Sequence, residues 1–214
     1  VHYQNYSNFE CFIIDDVSTD KSSTKIKQFI SDKDNFTLIT NEDKKFALSN
    51  IAHVLNGDNL LGEDVNIILD GDDWLSSYNV LSYLDKIYTE EKNYMTYGTY
   101  IYYPQGKIGV EPSEYPEQVI KDNLFRQDMW RASHLRTFKH HLWQRLSMDD
   151  LKGEDGNYYQ TAYDQALMLP LLEMSSKRSR YLDKIMHVYN RTNPLNVDKV
   201  KQQLQYNTSL EIRK

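Results

Sequence analysis

The chain has 214 residues, 40% of them hydrophobic and 26% charged, which suits one substantial core and excludes a disordered protein. A net charge of −6 argues against general nucleic-acid binding, which needs a basic footprint, and no apolar run is long enough to cross a bilayer. The single cysteine, Cys11, excludes an internal disulfide and any zinc site built on several thiolates.

In chain order, Phe9 to Ile14 reads as a buried strand ending at Asp15-Asp16. Ser18, Thr19 and Asp20 are N-cap types, so a helix should follow to about Ile30. Phe36 to Thr40 reads as a strand, Phe46 to Leu55 as a helix, Val65 to Leu69 as a strand and Tyr78 to Glu91 as a helix. This alternation predicts an α/β fold with a mainly parallel sheet flanked by helices. Tyr94 to Tyr103 and Gly106 to Val110 suggest paired strands about a Pro104-Gln105-Gly106 turn. Leu135, Phe138, Leu142 and Leu146 fall at helical spacing and predict a helix from about His134 to Leu146. Another is expected near Thr161 to Met174, kinked or divided at Pro170, then a short strand within Tyr181 to Tyr189 and a polar helical tail after Val197. No repeat or linker appears, so residues 1–214 are expected to form one domain. A sheet of this kind ordinarily has a strand and helix before the Asp15-Asp16 strand. The opening residues read like the end of that helix, so the first strand is apparently missing and the chain reads as a fragment of a longer protein.

The acidic turns carry the chemistry. Asp70-Gly71-Asp72-Asp73 packs three carboxylates into four positions at a strand end, where they repel unless a cation or donors sit among them. Oxygen ligands of this type suit Mg²⁺ or Mn²⁺, which would hold a diphosphate, and Gly71 should permit a tight turn and close approach of the ligand. The plainer alternative is a solvated acidic turn. Asp15 and Asp16 could accept a hydrogen bond from a base or ribose, or simply end a strand ahead of an N-cap.

Three segments together resemble the family 2 glycosyltransferases of the GT-A fold. They are Ile14-Asp15-Asp16-Val17-Ser18-Thr19-Asp20, with Gln4 to Glu10 leading into it; Asn41 to Asn50; and Leu69-Asp70-Gly71-Asp72-Asp73, the counterpart of the family's DXD motif. Asn41, Ala47 and Asn50 match the middle segment. Val17 replaces a glycine and Ser49 an arginine. The resemblance implies a metal-dependent inverting transfer of a hexose from a UDP-sugar. It implies Asp70, Asp72 and Asp73 on the metal, with Asp16 first and Asp15 second against the uracil; Asn50 and Asp70 also belong to the donor pocket. The family's base is the aspartate of a downstream Glu-Asp pair. Asp164 stands there, although Tyr163 replaces the glutamate, and Asp149, Asp150, Glu154 and Asp155 lie nearby as alternatives in an acidic loop. Trp130 to Lys139 lies where the family builds its acceptor side. Arg131 and Arg136, with His134, could meet diphosphate or acceptor, and Trp130 could stack on a sugar. Lys139, His140, His141 and Arg145 read as the wet face of a helix. His187 and Arg191 fall where related enzymes sometimes contact phosphate or metal, and they are assigned no role.

The second half is similar to a narrower subgroup, the collagen-modifying glycosyltransferase domains of giant viruses. That similarity implies UDP-glucose as donor, hydroxylysine of collagen-like protein as acceptor, and a place in the virion or host cytoplasm. A glycan is the other acceptor class. A non-catalytic nucleotide-sugar or glycan-binding module on the same fold is the competing reading.

Overall fold

A computed structural model describes residues 1–109, 112–194 and 201–214. The first half follows the predicted alternation closely: β1 (Cys11–Asp15), α1 (Ser22–Ile30), β2 (Phe36–Thr40), α2 (Ala47–Leu55), β3 (Val65–Ile68), the two-residue β4 (Trp74–Leu75) and α3 (Val80–Glu90). Then come β5 (Met95–Tyr103), a short α4 (Glu117–Lys121), β6 (Arg136–Lys139), a one-turn α5 (His140–Trp143), α6 (Tyr163–Ser175), β7 (Ser179–Asn190) and α7 (Gln202–Ile212). Short 3₁₀ turns cover Met148–Leu151 and Ser176–Arg178. No helix among the described residues is long and apolar enough to cross a membrane.

The α/β class holds, but the strand directions are mixed rather than mainly parallel. β1 and β2 form a parallel pair of their own, and a five-stranded sheet runs in the order β3-β6-β5-β7-β4. Within it β5 and β7 are parallel, while β3-β6, β5-β6 and β4-β7 are antiparallel. Two of the three antiparallel pairings come from β6, which lies inside the helix expected over His134 to Leu146. Arg136, Thr137 and Phe138 are all buried, because β6 is covered on both faces. A strand covered on both faces shows no alternation, so four leucine and phenylalanine positions imitated a helix. The Thr137 hydroxyl instead joins Tyr88 of α3 at 2.7 Å and Thr96 of β5 at 2.6 Å. His140 is buried and His141 largely so, which replaces the expected wet face.

Two apolar layers hold this sheet. α3 packs Val80, Leu84, Ile87 and Tyr88 with Leu135, Leu182 and Met186. A larger cluster gathers Leu48, Ala52 and Leu55 of α2, Leu142 and Trp143 of α5, and Leu167 to Leu172 of α6 with Met95, Tyr97 and Phe138. Each fully buried leucine there contributes about 1.5–3 kcal/mol. α6 runs through Pro170 without dividing, since the residues on either side are buried and their packing offsets the missing amide bond. The expected second arm of the hairpin reduces to one bridge, Ile101 to Ile108, and Val110 lies outside the described residues. The tail is helical as expected from Gln202, whereas 197–200 lie outside the described residues.

Candidate active site

The acidic loop leaves β3 and enters β4, and the Asp73 amide closes it on the Asp70 carbonyl at 3.1 Å. Gly71 sits in open space without a positive φ, so the turn itself does not demand glycine. The three carboxylates share no partner. Asp70 Oδ1 accepts the Tyr163 hydroxyl at 2.5 Å, and its Oδ2 meets Arg136 Nη2 at 3.4 Å. Asp72 accepts Asn193 Nδ2 at 2.7 Å. Asp73 takes His187 Nε2 at 2.8 Å and the Asn190 amide at 2.8 Å, fixed by the pairing of Trp74 with Val188 and Leu75 with His187.

An internal guanidinium therefore occupies one side of Asp70, where a metal was expected. The group nearest to a cation site is Asp73 with His134 and His187, whose candidate ligand atoms all lie within 4.8 Å of one another. The histidines stack with ring centroids 4.3 Å apart and planes 18° from parallel. His134 is held well below the ordinary imidazole pKa by burial first, then by Arg136 and His187, so its ring is neutral. Its Nδ1 lies 3.2 Å from Arg136 Nη2 and must be the acceptor, because arginine can only donate. That leaves its proton on Nε2 and commits its one lone pair. His187 differs: its Nδ1 is buried without a hydrogen-bond partner, while Nε2 faces the carboxylate. Carboxylate oxygens with an imidazole nitrogen fit a divalent transition ion such as Mn²⁺ better than Mg²⁺, which prefers oxygen alone. Neither histidine has ligand spacing to the aspartates in sequence; His134 was expected against diphosphate or acceptor, and His187 fell where related enzymes sometimes contact phosphate or metal but was assigned no role.

Asp164 lies in the first turn of α6, which begins after Ala162 at φ 50. Burial pushes its carboxyl above the usual carboxylate range; Arg136 pulls it back down, and Asp70 pushes it further up. Arg136 itself is only 2% exposed, on β6 opposite Ile68, with its guanidinium 5.3 Å above the Tyr163 ring. Asp70, Tyr163, Arg136 and Asp164 thus form one electrostatic unit. Asp149, Asp150, Glu154 and Asp155 are exposed, as an acidic loop should be.

At the end of β1 the aspartates turn inward. Asp15 is buried and accepts the Ser18 amide at 3.0 Å. Asp16 accepts the amides of Lys45 at 2.8 Å and Phe46 at 2.9 Å and Asn41 Nδ2 at 2.8 Å, and Asn41 also reaches Asn50 Oδ1 at 2.8 Å. Burial raises the Asp16 pKa, but these donors together outweigh it and leave it below the usual range. So Asp16 and Asn50 meet through Asn41, with Asp16 shaping the 41–46 turn, while the Asp15 carboxylate is turned to Ser18 and only its carbonyl reaches Asn41. Val17 there adopts φ 65, a conformation natural to glycine. Left-handed backbone costs an L-residue about 1–2 kcal/mol, so Val17→Gly should stabilise the protein by about 0.5–1 kcal/mol in urea unfolding once glycine's extra entropy is deducted. Arg131 is spent elsewhere, on Asp128 at 2.6 Å and Ser113 at 2.8 Å, and Trp130 packs on the core instead of standing free for a sugar.

The model of glycosyl transferase family 2 matches residues 1–149. Among solved structures, S. aureus TarS 1-349 in complex with UDP-GlcNAc superposes with a TM-score of 0.59 at 16% identity, covering 88% of this chain and 52% of that one. The mannosyltransferase PcManGT from Pyrobaculum calidifontis, in complex with GDP-Man and Mn²⁺, gives 0.60 at 14% identity, covering 99% and 56%. Identities this low speak for the fold alone, and the chain spans about half the length of these two structures. A comparison with curated proteins gave no match. With the family model covering most of its length and the GT-A architecture around an acidic loop, the chain belongs to glycosyl transferase family 2.

Proposed function

We propose that residues 1–214 act as one domain catalysing inverting transfer of a hexose from a UDP-sugar, UDP-glucose being the candidate donor, to an acceptor hydroxyl. The candidate acceptor is hydroxylysine of a collagen-like protein, on the strength of the sequence resemblance in the second half. The carrying observation is Asp164, a half-buried carboxylate with raised proton affinity beside the Asp70-Arg136-Tyr163 group. As base it would take the acceptor's proton while the acceptor oxygen bonds to the anomeric carbon and UDP leaves with the electron pair of the broken bond. Asp15, Asp16 and Asn50 would frame the nucleotide end. Asp73 and His187, with Asp72 beside them in the loop, would hold a divalent cation; such an ion neutralises charge on a departing diphosphate. That TarS was solved with UDP-GlcNAc and PcManGT with GDP-Man and Mn²⁺ supports a nucleotide-sugar donor and a metal.

UDP release from UDP-glucose and UDP-galactose, with Mn²⁺ and with chelator, tests this. We expect release only with Mn²⁺, and His187→Ala should raise the Mn²⁺ needed for half activity at least about tenfold. The binding-module reading draws on Asp70 already being engaged by Arg136 and Tyr163. UDP binding without turnover on any donor would establish that reading instead.

A further inference from the structure

Tyr163 stands where the resembled family carries a glutamate, and its hydroxyl does what a glutamate cannot. It donates to Asp70 Oδ1 at 2.5 Å while Arg136 Nη2 approaches it at 3.3 Å. A carboxylate at this position would add a second negative charge beside Asp70 and compete for the same guanidinium. The start of α6 needs such a tether, because no side chain caps it and Ala162 enters at φ 50. On its other side α7 and the residue after it hold it, through Thr161 to Thr208 at 3.1 Å and Arg213 Nε to Gln165 Oε1 at 2.9 Å. Only Tyr163 links this turn to the acidic loop by a hydrogen bond from its own side chain among the described residues.

We infer that Tyr163 is a positioning residue, tying the loop after β3 to the first turn of α6 so that Asp164 is held against the site. Its role in turnover rests on the proposed function; the tie itself does not. Tyr163→Phe keeps the ring beneath Arg136 and removes only the hydroxyl. The expected result is a kcat lower by about 10–100-fold, as a displaced reactive group commonly produces. The donor KM and the UDP affinity in Mn²⁺ should stay within about twofold, since Asp15, Asp16 and Asn50 are untouched. Amide hydrogen exchange over residues 163–167 should quicken about tenfold with the remaining helices unchanged. Tyr163→Glu should lose kcat as well, despite bearing the family's residue.

Unchanged exchange over 163–167 in Tyr163→Phe would overturn the tie. An equal fall in UDP affinity and kcat would overturn the positioning role in favour of direct donor contact. Full activity in Tyr163→Glu would likewise count against it. Quickened exchange in a protein that shows no turnover at all would uphold the tie and sink the transferase reading, so the two failures are told apart.

Discussion

Asp164→Asn is expected to lower kcat by about 10²–10⁴-fold while UDP affinity in Mn²⁺ holds, because a general base is lost and the donor pocket is not. Wild-type activity should also fall on the acid side at a higher pH than the ordinary aspartate value of 3.8 would give, since burial raises the Asp164 pKa. Stability runs the opposite way. With the folded pKa above the unfolded one, the folded chain binds a proton more readily, and the wild type loses stability as pH rises through that interval. Above the folded pKa the full cost of the buried charge is present; below the unfolded pKa it is absent. Asp164→Asn should therefore raise the thermal midpoint at pH 7 and lose that advantage as the solution is acidified. A variant that retains turnover would remove Asp164 from the mechanism, and a midpoint lower than wild type at neutral pH would contradict its burial.

The second large effect concerns Asp70. Arg136 is 2% exposed, its Nε has no hydrogen-bond partner, and Asp70 is the carboxylate it touches. Asp70→Ala leaves that cation and the Tyr163 hydroxyl facing a gap. Removing one partner of a buried pair costs about 3–5 kcal/mol, and partial solvation of the Asp70 side chain, 35% exposed, brings the expectation to about 3 kcal/mol. Asp70→Asn keeps an acceptor for the hydroxyl and should cost roughly half as much. Equilibrium urea unfolding measures both. A loss under about 1 kcal/mol for Asp70→Ala would show that Arg136 is compensated elsewhere.

The first half of the chain was the legible half. Its strands and helices alternate, each element is short and regular, and Asp15-Asp16 and Asp70-Gly71-Asp72-Asp73 fall at strand ends where the structure puts them. Asp16, Asn41 and Asn50 do gather, although the donors they exchange come from a turn that no local pattern reveals. Beyond Leu75 the reading weakened for a physical reason. β6 is buried on both faces, so its apolar spacing carried no strand signature, and Arg136 therefore could not be placed against Asp70. The Asp73-His187 contact spans 114 residues and the Tyr163-Asp70 contact 93; such pairings are properties of the assembled sheet. Arg131, equally basic in sequence, was claimed by Asp128 three residues away.

The nitrogen Nη2 of Arg136 has a further consequence. It faces Asp70, His134 and Tyr163 with two hydrogens to give, so the site runs one proton short. A shortage of that kind binds residues into a shared inheritance. A lineage that exchanged Tyr163 for a carboxylate would have to find Asp70 another donor in the same step, and one that exchanged Arg136 for lysine would lose the flat cation lying over the ring. Asp70, His134, Arg136 and Tyr163 should accordingly be kept or replaced as a set among the chain's descendants, even though they come from three separate stretches of the sequence.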